Sequence, residues 1–358
     1  GSIVLGMGFT FDDKNPDATP IAEMQRLIEK DPRNREKIYP YIGGEEVNES
    51  PTHEHHRYVI NFGEMSESEA RNWPDLMAIV EKKVRPERLR NNRESYRRWW
   101  WQHAEKRSEL FASIANLNRV LVTPFIGKWL GFAYVTAATV IAAPMIAFPV
   151  DSFRFFSVLQ SRSHEIWARF LGSSMKDDLR YTPSDCFETF PFPPNWESHP
   201  ALEAVGKEYY EFRAQLMVRN NEGLTTTYNR FHDPDELDPE ICKLRALHDA
   251  MDRAVLDAYG WTDLRPSCEF LLDYEEAEDE AEEESGRPRR KKKPWRYRWP
   301  DAVRDEVLAR LLALNAERAQ KEKEEAARAA LLGERAPKSR NKRTPPAGST
   351  SGGQGSLF

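Results

Sequence analysis

Apolar residues recur at several places in short runs bounded by turn-forming residues, which is the pattern expected for β-strands. One such run lies at residues 58–62, and further runs rich in residues that favour strands lie between residues 119 and 146. These runs predict strands at Tyr58–Phe62, Arg119–Thr123, Leu130–Thr136 and Thr139–Ile146.

Other segments carry apolar residues three or four positions apart, which is the spacing of an amphipathic helix. This spacing predicts helices at Ile21–Glu29 and Ser152–Leu171, and the basic stretch 86–115 also favours a helix. Ser66 followed by Glu69 is the pattern of a capping box, so a helical region is expected to begin there. Strands and helices together predict an α+β fold, in which a mixed or antiparallel sheet is flanked by helices.

The pattern changes near residue 198. The proline-rich segment 190–194 ends the mixed region, which predicts a first domain at residues 1–198. Residues 199–272 have helical spacing, as in the set Leu202, Val205, Tyr209 and Phe212, and therefore predict a small all-α C-terminal domain.

The sequence after residue 272 is dominated by charge. Nine of the twelve residues 273–284 are acidic and eight of the twelve residues 287–298 are basic, a composition that favours a solvated, disordered linker at 273–300. A helix is predicted at 301–332 and a disordered tail at 333–358. Because these segments have little apolar surface, a chain that ends at Leu272 is expected to stay folded.

The longest uncharged segment, Trp129–Phe148, has the length of a bilayer span. It contains Thr136, Thr139 and Pro144 among residues that favour strands, so buried strands are predicted and no membrane contact is expected. Three widely spaced cysteines and the lack of a secretory signal predict a reducing cytoplasm. The chain begins without methionine, which predicts that it is part of a longer protein.

The net charge of −6, from 52 basic and 58 acidic residues, does not point to a polyanionic partner, so any nucleic-acid site must be local. The strongest local field is at residues 82–107, where ten basic residues face three acidic ones and aromatic residues are interleaved. Arginines beside aromatic rings suit phosphate contact; the alternative is a solvated basic helix whose tryptophans belong to the core. The predicted phosphate contacts in this stretch are Arg85, Arg88, Arg93, Arg97 and Arg98.

Two other patterns resemble chemical sites. Pro74-Asp75 followed by Glu81 and Lys83 matches the acidic core of a PD-(D/E)xK nuclease, in which two carboxylates hold magnesium beside a lysine. The helical spacing of residues 76–84 argues against this interpretation, because the carboxylates of such a site come from adjacent strands. The adjacent residues 53–56 (His-Glu-His-His) do not predict a metal site, and no catalytic residue is predicted.

Several longer strings carry a family resemblance. They include V-R-P-E-R-L-R-N-N-R at residues 84–93, S-H-E-I-W-A-R at 163–169, S-S-M-K-D-D-L-R-Y-T-P-S-D-C-F-E-T-F-P-F-P at 173–193 and G-L-T-T-T-Y-N-R-F-H-D-P at 223–234. Together they resemble the C-terminal half of MmeI-like type IIG restriction-modification enzymes and related adenine-specific DNA methyltransferases of phage-defence systems. The third string is the most specific.

The resemblance implies that residues 1–198 form a DNA target-recognition domain and that a helical C-terminal domain follows. Double-stranded DNA and an upstream methyltransferase domain of the same parent chain are the implied partners, with other defence-system subunits as further ones. The parent would methylate adenine at N6 with S-adenosylmethionine, with or without cleavage. The 358-residue chain would itself hold no cofactor or metal and would be non-catalytic alone. A magnesium nuclease and a protein-interaction scaffold are the alternatives.

A domain that selects DNA needs phosphate contacts for register and polar side chains that reach base edges. Large or polar groups within the apolar region 123–145 are the predicted base contacts, although each also fits an ordinary outward-facing strand position. Two cations near a predicted helix end are further phosphate contacts, or simply cap the turn. The base contacts are Lys128, Trp129, Tyr134, Thr136 and Thr139, and the added phosphate contacts are Lys176 and Arg180.

Overall fold

The computed structural model describes residues 1–175, 178–272 and 295–331. It mixes helices with small sheets, which confirms the predicted α+β class. The helices are α1 (Ile21–Lys30), α2 (Gly44–Glu49), α3 (Glu67–Ala70), α4 (Pro74–Lys83), α5 (Arg85–Leu89), α6 (Glu94–Arg98), α7 (Ser108–Ile114), α8 (Phe153–Gln160), α9 (Arg162–Leu171), α10 (Pro200–Asn220), α11 (Leu224–Phe231), α12 (Pro239–Ala258) and α13 (Asp301–Leu331). The strands are β1 (Thr10–Phe11), β2 (Ile38–Ile42), β3 (Arg57–Ile60), β4 (Arg119–Pro124), β5 (Ile126–Gly127), β6 (Ala133–Thr136), β7 (Val140–Ile141), β8 (Met145–Phe148), β9 (Ser173–Met175), β10 (Asp178–Arg180), β11 (Glu269–Leu272) and β12 (Trp295–Arg298).

The strands form four small sheets. The first has the order β1-β3-β2-β7, with β7 parallel to β2 and the other pairs antiparallel. The second is antiparallel in the order β6-β4-β8. The third is antiparallel in the order β5-β10-β9, and β11 pairs antiparallel with β12.

Strand β7 connects two apolar cores. Its Val140 lies in the core under the first sheet, with Phe9, Val59 and Val80, whereas Ile141 belongs to the larger core around the second sheet. Successive side chains of a strand point to opposite faces, so two residues suffice to join the two cores.

Three predicted elements are interrupted in the structure. The basic stretch 86–115 is divided into α5, α6 and α7, and Arg107 precedes α7 with a φ of 57°. The helix predicted at 152–171 is two helices, because Ser161 takes an extended conformation and its hydroxyl caps α9. The strand predicted at 139–146 is divided into β7 and β8. The capping box at Ser66 is present, as predicted.

The boundary predicted at residue 198 does not separate two cores in the structure. Tyr209, Leu216 and Met251 of the C-terminal helices lie in the same buried cluster as Val120 and Phe132 of the second sheet. The helical region therefore completes the core that begins before residue 198.

The region predicted as a disordered linker needs a correction at its end, because residues 295–298 form strand β12. Arg296 is 2% exposed and Trp299 is also buried. The first part of α13 packs in the same buried cluster as Trp299, and its Val307 and Leu311 are fully buried. Residues 273–294 and the predicted tail 333–358 lie outside the described residues.

The uncharged segment 129–148 forms the strands β6, β7 and β8 rather than a helix, as predicted. In the described part of the chain, no helix has both the length and the apolar character needed to cross a membrane.

Candidate nucleic-acid interface

Arg88 is not available for the phosphate contact predicted for it. Its side chain is 1% exposed, and its guanidinium donates to the carbonyls of Leu5 at 2.9 Å, Val4 at 2.8 Å and Gln102 at 3.2 Å. These bonds tie α5 to the N-terminal segment. The prediction for Arg88 is therefore wrong, because a guanidinium in a basic run can equally serve buried carbonyls.

The other predicted arginines of this stretch differ in what they contact. Arg85 pairs with Glu81 at 2.7 Å, and Arg97 donates to the carbonyls of Asn91 at 2.6 Å and Asn92 at 3.1 Å. Arg93 and Arg98 are exposed; the first donates to the Tyr96 hydroxyl at 2.8 Å and the second lies over the ring of Trp99.

Arg90 is a further exposed arginine of this stretch. Within the described residues, Arg90, Arg93 and Arg98 pair with no carboxylate. We call these three residues the open arginines. Because no carboxylate of the described residues compensates their positive charge, they are the best candidates in this stretch for phosphate contact.

Two predicted base contacts are buried. Tyr134 donates its hydroxyl to the Ser152 carbonyl at 2.8 Å and is covered by the guanidinium of Arg119 at 4.0 Å from the ring centre. Burial raises the pKa of this phenol well above its ordinary value. Thr139 is 5% exposed. Both side chains are buried and therefore not available for a base contact, so both predictions are corrected.

Thr136 is exposed, as a base contact must be. It ends β6 and begins a turn that is closed by the bond from the Thr139 amide to the Thr136 carbonyl at 3.1 Å. Ala137 and Ala138 of this turn line a groove of about 480 Å³. The lining of the groove also includes Asn61 and Lys106.

Lys128 and Trp129 lie where the third sheet meets the C-terminal helices. The Lys128 ammonium and the Trp129 indole nitrogen both donate to the Asn229 side-chain oxygen, at 2.9 Å and 3.0 Å. The Trp129 ring is stacked on His232 at 4.0 Å between centroids. Burial, followed by the charge of Arg296, lowers the pKa of His232 well below its ordinary value, so the ring in this stack is neutral.

The backbone of Lys128 is fixed by two guanidinium groups. Arg296 of β12 donates to the Lys128 carbonyl at 3.4 Å and lies over the Trp129 ring at 4.7 Å. Arg169 of α9 donates to the same carbonyl at 3.5 Å. We call Lys128, Trp129, Arg169, Asn229 and Arg296 the Lys128 cluster.

The sequence predicted only two members of the Lys128 cluster. Asn229 is 101 residues from Lys128 in the chain, and Arg296 lies in a segment predicted as a solvated linker. The one available signal was that Asn229 and His232 stand within the string at 223–234 that carried part of the family resemblance.

The two remaining predicted phosphate contacts are Arg180 and Lys176. Arg180 is exposed at the end of β10, which pairs with β5 immediately before Lys128, and it lies over the ring of Phe125. Lys176 lies outside the described residues. Arg180 therefore lies on the strand paired with β5, which immediately precedes Lys128.

The nuclease-like residues do not converge. Asp75 and Glu81 lie six residues apart on α4, so they point to different faces of the helix. Asp75 pairs with Lys30 at 2.6 Å, Glu81 pairs with Arg71 and Arg85, and Lys83 donates to the Ala18 carbonyl at 2.8 Å. Each group serves a local contact rather than a shared ion.

We expect no magnesium-dependent cleavage of duplex DNA by this chain, because the two carboxylates cannot hold one ion together. The measurement is a gel assay with supercoiled plasmid and millimolar magnesium, with Glu81→Ala as the matched variant. Cutting that disappears in the variant would contradict this expectation.

The histidines at residues 53–56 also form no metal site. His53 has its Nδ1 2.9 Å from the Val47 carbonyl, and burial lowers its pKa to about 4. His56 faces Glu46 at 3.3 Å, but that carboxylate is already held by Arg57 at 2.6 Å. Across the described residues, no group of three or more histidine, cysteine or acidic side chains could hold an ion.

Comparison with known proteins shows which fold and which family the chain resembles. No curated protein matches the chain. A solved structure described as "Structure of Type IIL restriction-modification enzyme MmeI in complex with DNA has implications for engineering of new specificities" matches 73% of this chain, with a TM-score of 0.53 and 22% sequence identity. The match covers 32% of that chain, so this chain spans about a third of the length of that enzyme.

The likeness of the structures concerns the fold, and the sequence identifies the family. Residues 14–194, just over half of the 358 residues, match the family model described as "MmeI, target recognition domain". The matched range contains the basic stretch, the second and third sheets, Lys128 and Trp129, whereas Asn229 and Arg296 lie beyond it. The chain therefore belongs to the family of MmeI target recognition domains.

Proposed function

We propose that this chain recognises a specific sequence in double-stranded DNA on behalf of a restriction-modification enzyme. Its membership of the MmeI target recognition domain family is the observation that carries the proposal. Two exposed cations, Lys128 beside β5 and Arg180 on the paired strand β10, support the same conclusion, as does Asn229, which is hydrogen-bonded to Lys128 and Trp129.

The two kinds of contact that recognition needs are assigned to different parts of the structure. The open arginines supply phosphate contacts, because their guanidinium groups are exposed and pair with no carboxylate in the described residues. Lys128 and Thr136 are exposed polar groups that supply base contacts. Trp129 is half-buried and shapes the surface beside Lys128.

The finer parts of the proposal concern the parent protein. We propose that an upstream domain methylates an adenine at N6 with S-adenosylmethionine, in the cytoplasm and as part of phage defence. In this arrangement the present chain selects the site and contributes no catalytic group. DNA is the partner of the enzyme whose structure this chain resembles, which supports the choice of DNA here.

Selection from a library of randomised duplexes tests the proposal. The chain is expected to enrich one sequence, and its affinity for that sequence is expected to fall as salt rises. Enrichment of no sequence would refute sequence recognition.

Replacing the three open arginines by alanine should weaken binding to every duplex similarly. The slope of log affinity against log salt should fall by about 0.9 for each phosphate that an arginine no longer neutralises. Arg26→Ala with Arg33→Ala is the control, because these exposed arginines already pair with Glu23 and Asp31. An unchanged slope in the triple variant would remove the basic stretch from the DNA interface.

A further inference from the structure

The neighbours of Asn229 determine the orientation of its side-chain amide. It is exposed near the end of α11, and its side-chain oxygen accepts from the Lys128 ammonium at 2.9 Å and from the Trp129 indole nitrogen at 3.0 Å. An ammonium and an indole N–H can only donate, so the atom between them must be the amide oxygen. The amide nitrogen therefore points away from both residues.

The amide nitrogen is left with two N–H groups to donate. None of the residues that the structure describes accepts a hydrogen bond from it. Because the side chain is exposed, these donors face a ligand or solvent. An asparagine in this state is a donor only, whereas an asparagine with no such neighbours both donates and accepts.

The neighbourhood is rigid enough to present these donors in one place. The Trp129 ring is stacked on His232, with an angle of 16° between the rings. Arg296 and Arg169 both donate to the Lys128 carbonyl, at 3.4 Å and 3.5 Å. Groups supported in this way lose little conformational freedom when a ligand binds.

The elements around Asn229 carry several cations. Lys128, Arg169, Arg180 and Arg296 are cations on the elements that meet here. Arg169 and Arg296 pair with Glu165, at 2.9 Å and 3.7 Å, so a carboxylate compensates part of this charge. Lys128 and Arg180 are exposed, and cations at such positions suit the phosphates beside a base.

We propose that Asn229, together with Lys128, contacts the major-groove edge of a guanine; this inference rests on the DNA recognition proposed above. Guanine presents two acceptors there, N7 and O6, which match two adjacent groups that only donate. Adenine presents one acceptor and one donor, thymine one acceptor beside a methyl group, and cytosine a donor. Asn229 lies outside the residues that match the family model, so the helical region shares in base recognition.

Asn229→Asp is the sharpest test. The carboxylate keeps an acceptor for Lys128 and Trp129, so the thermal midpoint is not expected to fall. It presents an acceptor where the wild type presents a donor. In the duplex selection, preference for guanine at one position should fall by about 5- to 100-fold, and cytosine, whose N4 donates, should gain.

Two further variants make the result specific. Thr226→Asp places the same charge at an exposed position one turn earlier on α11 and should weaken all duplexes without changing base preference. Asn229→Ser removes the amide and should lose the guanine preference without a gain of cytosine. It also keeps the test valid if the aspartate variant does not fold.

The possible results separate this inference from the proposed function. If the wild type selects a sequence and both Asn229 variants keep the same base preferences, Asn229 is not a base contact. A uniform loss of affinity with a reduced salt slope would make it a phosphate contact and also overturn the inference. If the wild type selects no sequence, DNA recognition itself fails.

Discussion

Replacement of Arg88 by alanine is expected to lower the free energy of unfolding by about 3 to 5 kcal/mol. The guanidinium donates to three backbone carbonyls, those of Val4, Leu5 and Gln102, from a side chain that is 1% exposed. It also lies near the rings of Phe9 and Tyr96, at 5.9 Å and 5.4 Å. Alanine would leave buried carbonyls without a donor and a cavity beside two rings.

Chemical denaturation with urea measures this change. Arg93→Ala is the matched control, because Arg93 belongs to the same basic stretch but is exposed, and its effect should stay within about 0.5 kcal/mol. Equal stability of the two variants would mean that Arg88 does not support the fold. A loss confined to Arg88 would show that one arginine of the basic stretch is structural.

A chain that ends at Leu272 is expected to lose about 5 to 9 kcal/mol of stability, from the burial of three large side chains at about 1.5 to 3 kcal/mol each. Those side chains are Trp299, Val307 and Leu311, which lie in one buried cluster with Trp167 and Leu256. A loss of this size approaches the whole stability of a typical domain. The structure thus reverses the expectation, based on charge composition, that this truncation is harmless.

The same truncation removes polar contacts that β12 makes with the rest of the chain. Arg298 donates to the Leu272 carbonyl at 3.2 Å. The Tyr297 amide donates to His232 at 3.0 Å. Without β12, the Lys128 carbonyl also loses Arg296, so DNA selectivity should weaken in any truncated chain that still folds.

Thermal unfolding followed by near-ultraviolet circular dichroism decides this prediction. A chain that ends at Leu331 is the control, since the composition of residues 333–358 predicts no part in the core. An unchanged midpoint for the chain ending at Leu272 would mean that β12 and α13 contribute little. A lower midpoint for both chains would point to the C-terminal tail instead.

The sequence by itself determined the α+β class, the positions of most helices and of strands β3, β4 and β6, and the family. Helix α1 was predicted at 21–29 and found at Ile21–Lys30, because its apolar residues recur at helical spacing. The capping box at Ser66 was predicted from two residues three positions apart. The strings between residues 84 and 193 indicated the family, and the match over residues 14–194 confirms it. All of these signals are local in the chain.

The tertiary structure decided which charged residues are functional candidates. Arg88 and Arg93 look alike in the sequence, yet one is buried and the other exposed, because the carbonyls of the N-terminal segment and of Gln102 surround the first. Arg296 belongs to a basic run whose composition favours solvation. It is buried all the same, because β12 places it over Trp129.

The same reason explains the Lys128 cluster. Lys128 and Asn229 meet across 101 residues, and no spacing rule relates them. Local patterns report the conformation of a segment, whereas the partner of a side chain depends on which segments pack together. The sequence therefore determined the elements and the family, and only the packing of α9, α11 and β12 around Lys128 decided which side chains form the surface proposed to meet DNA.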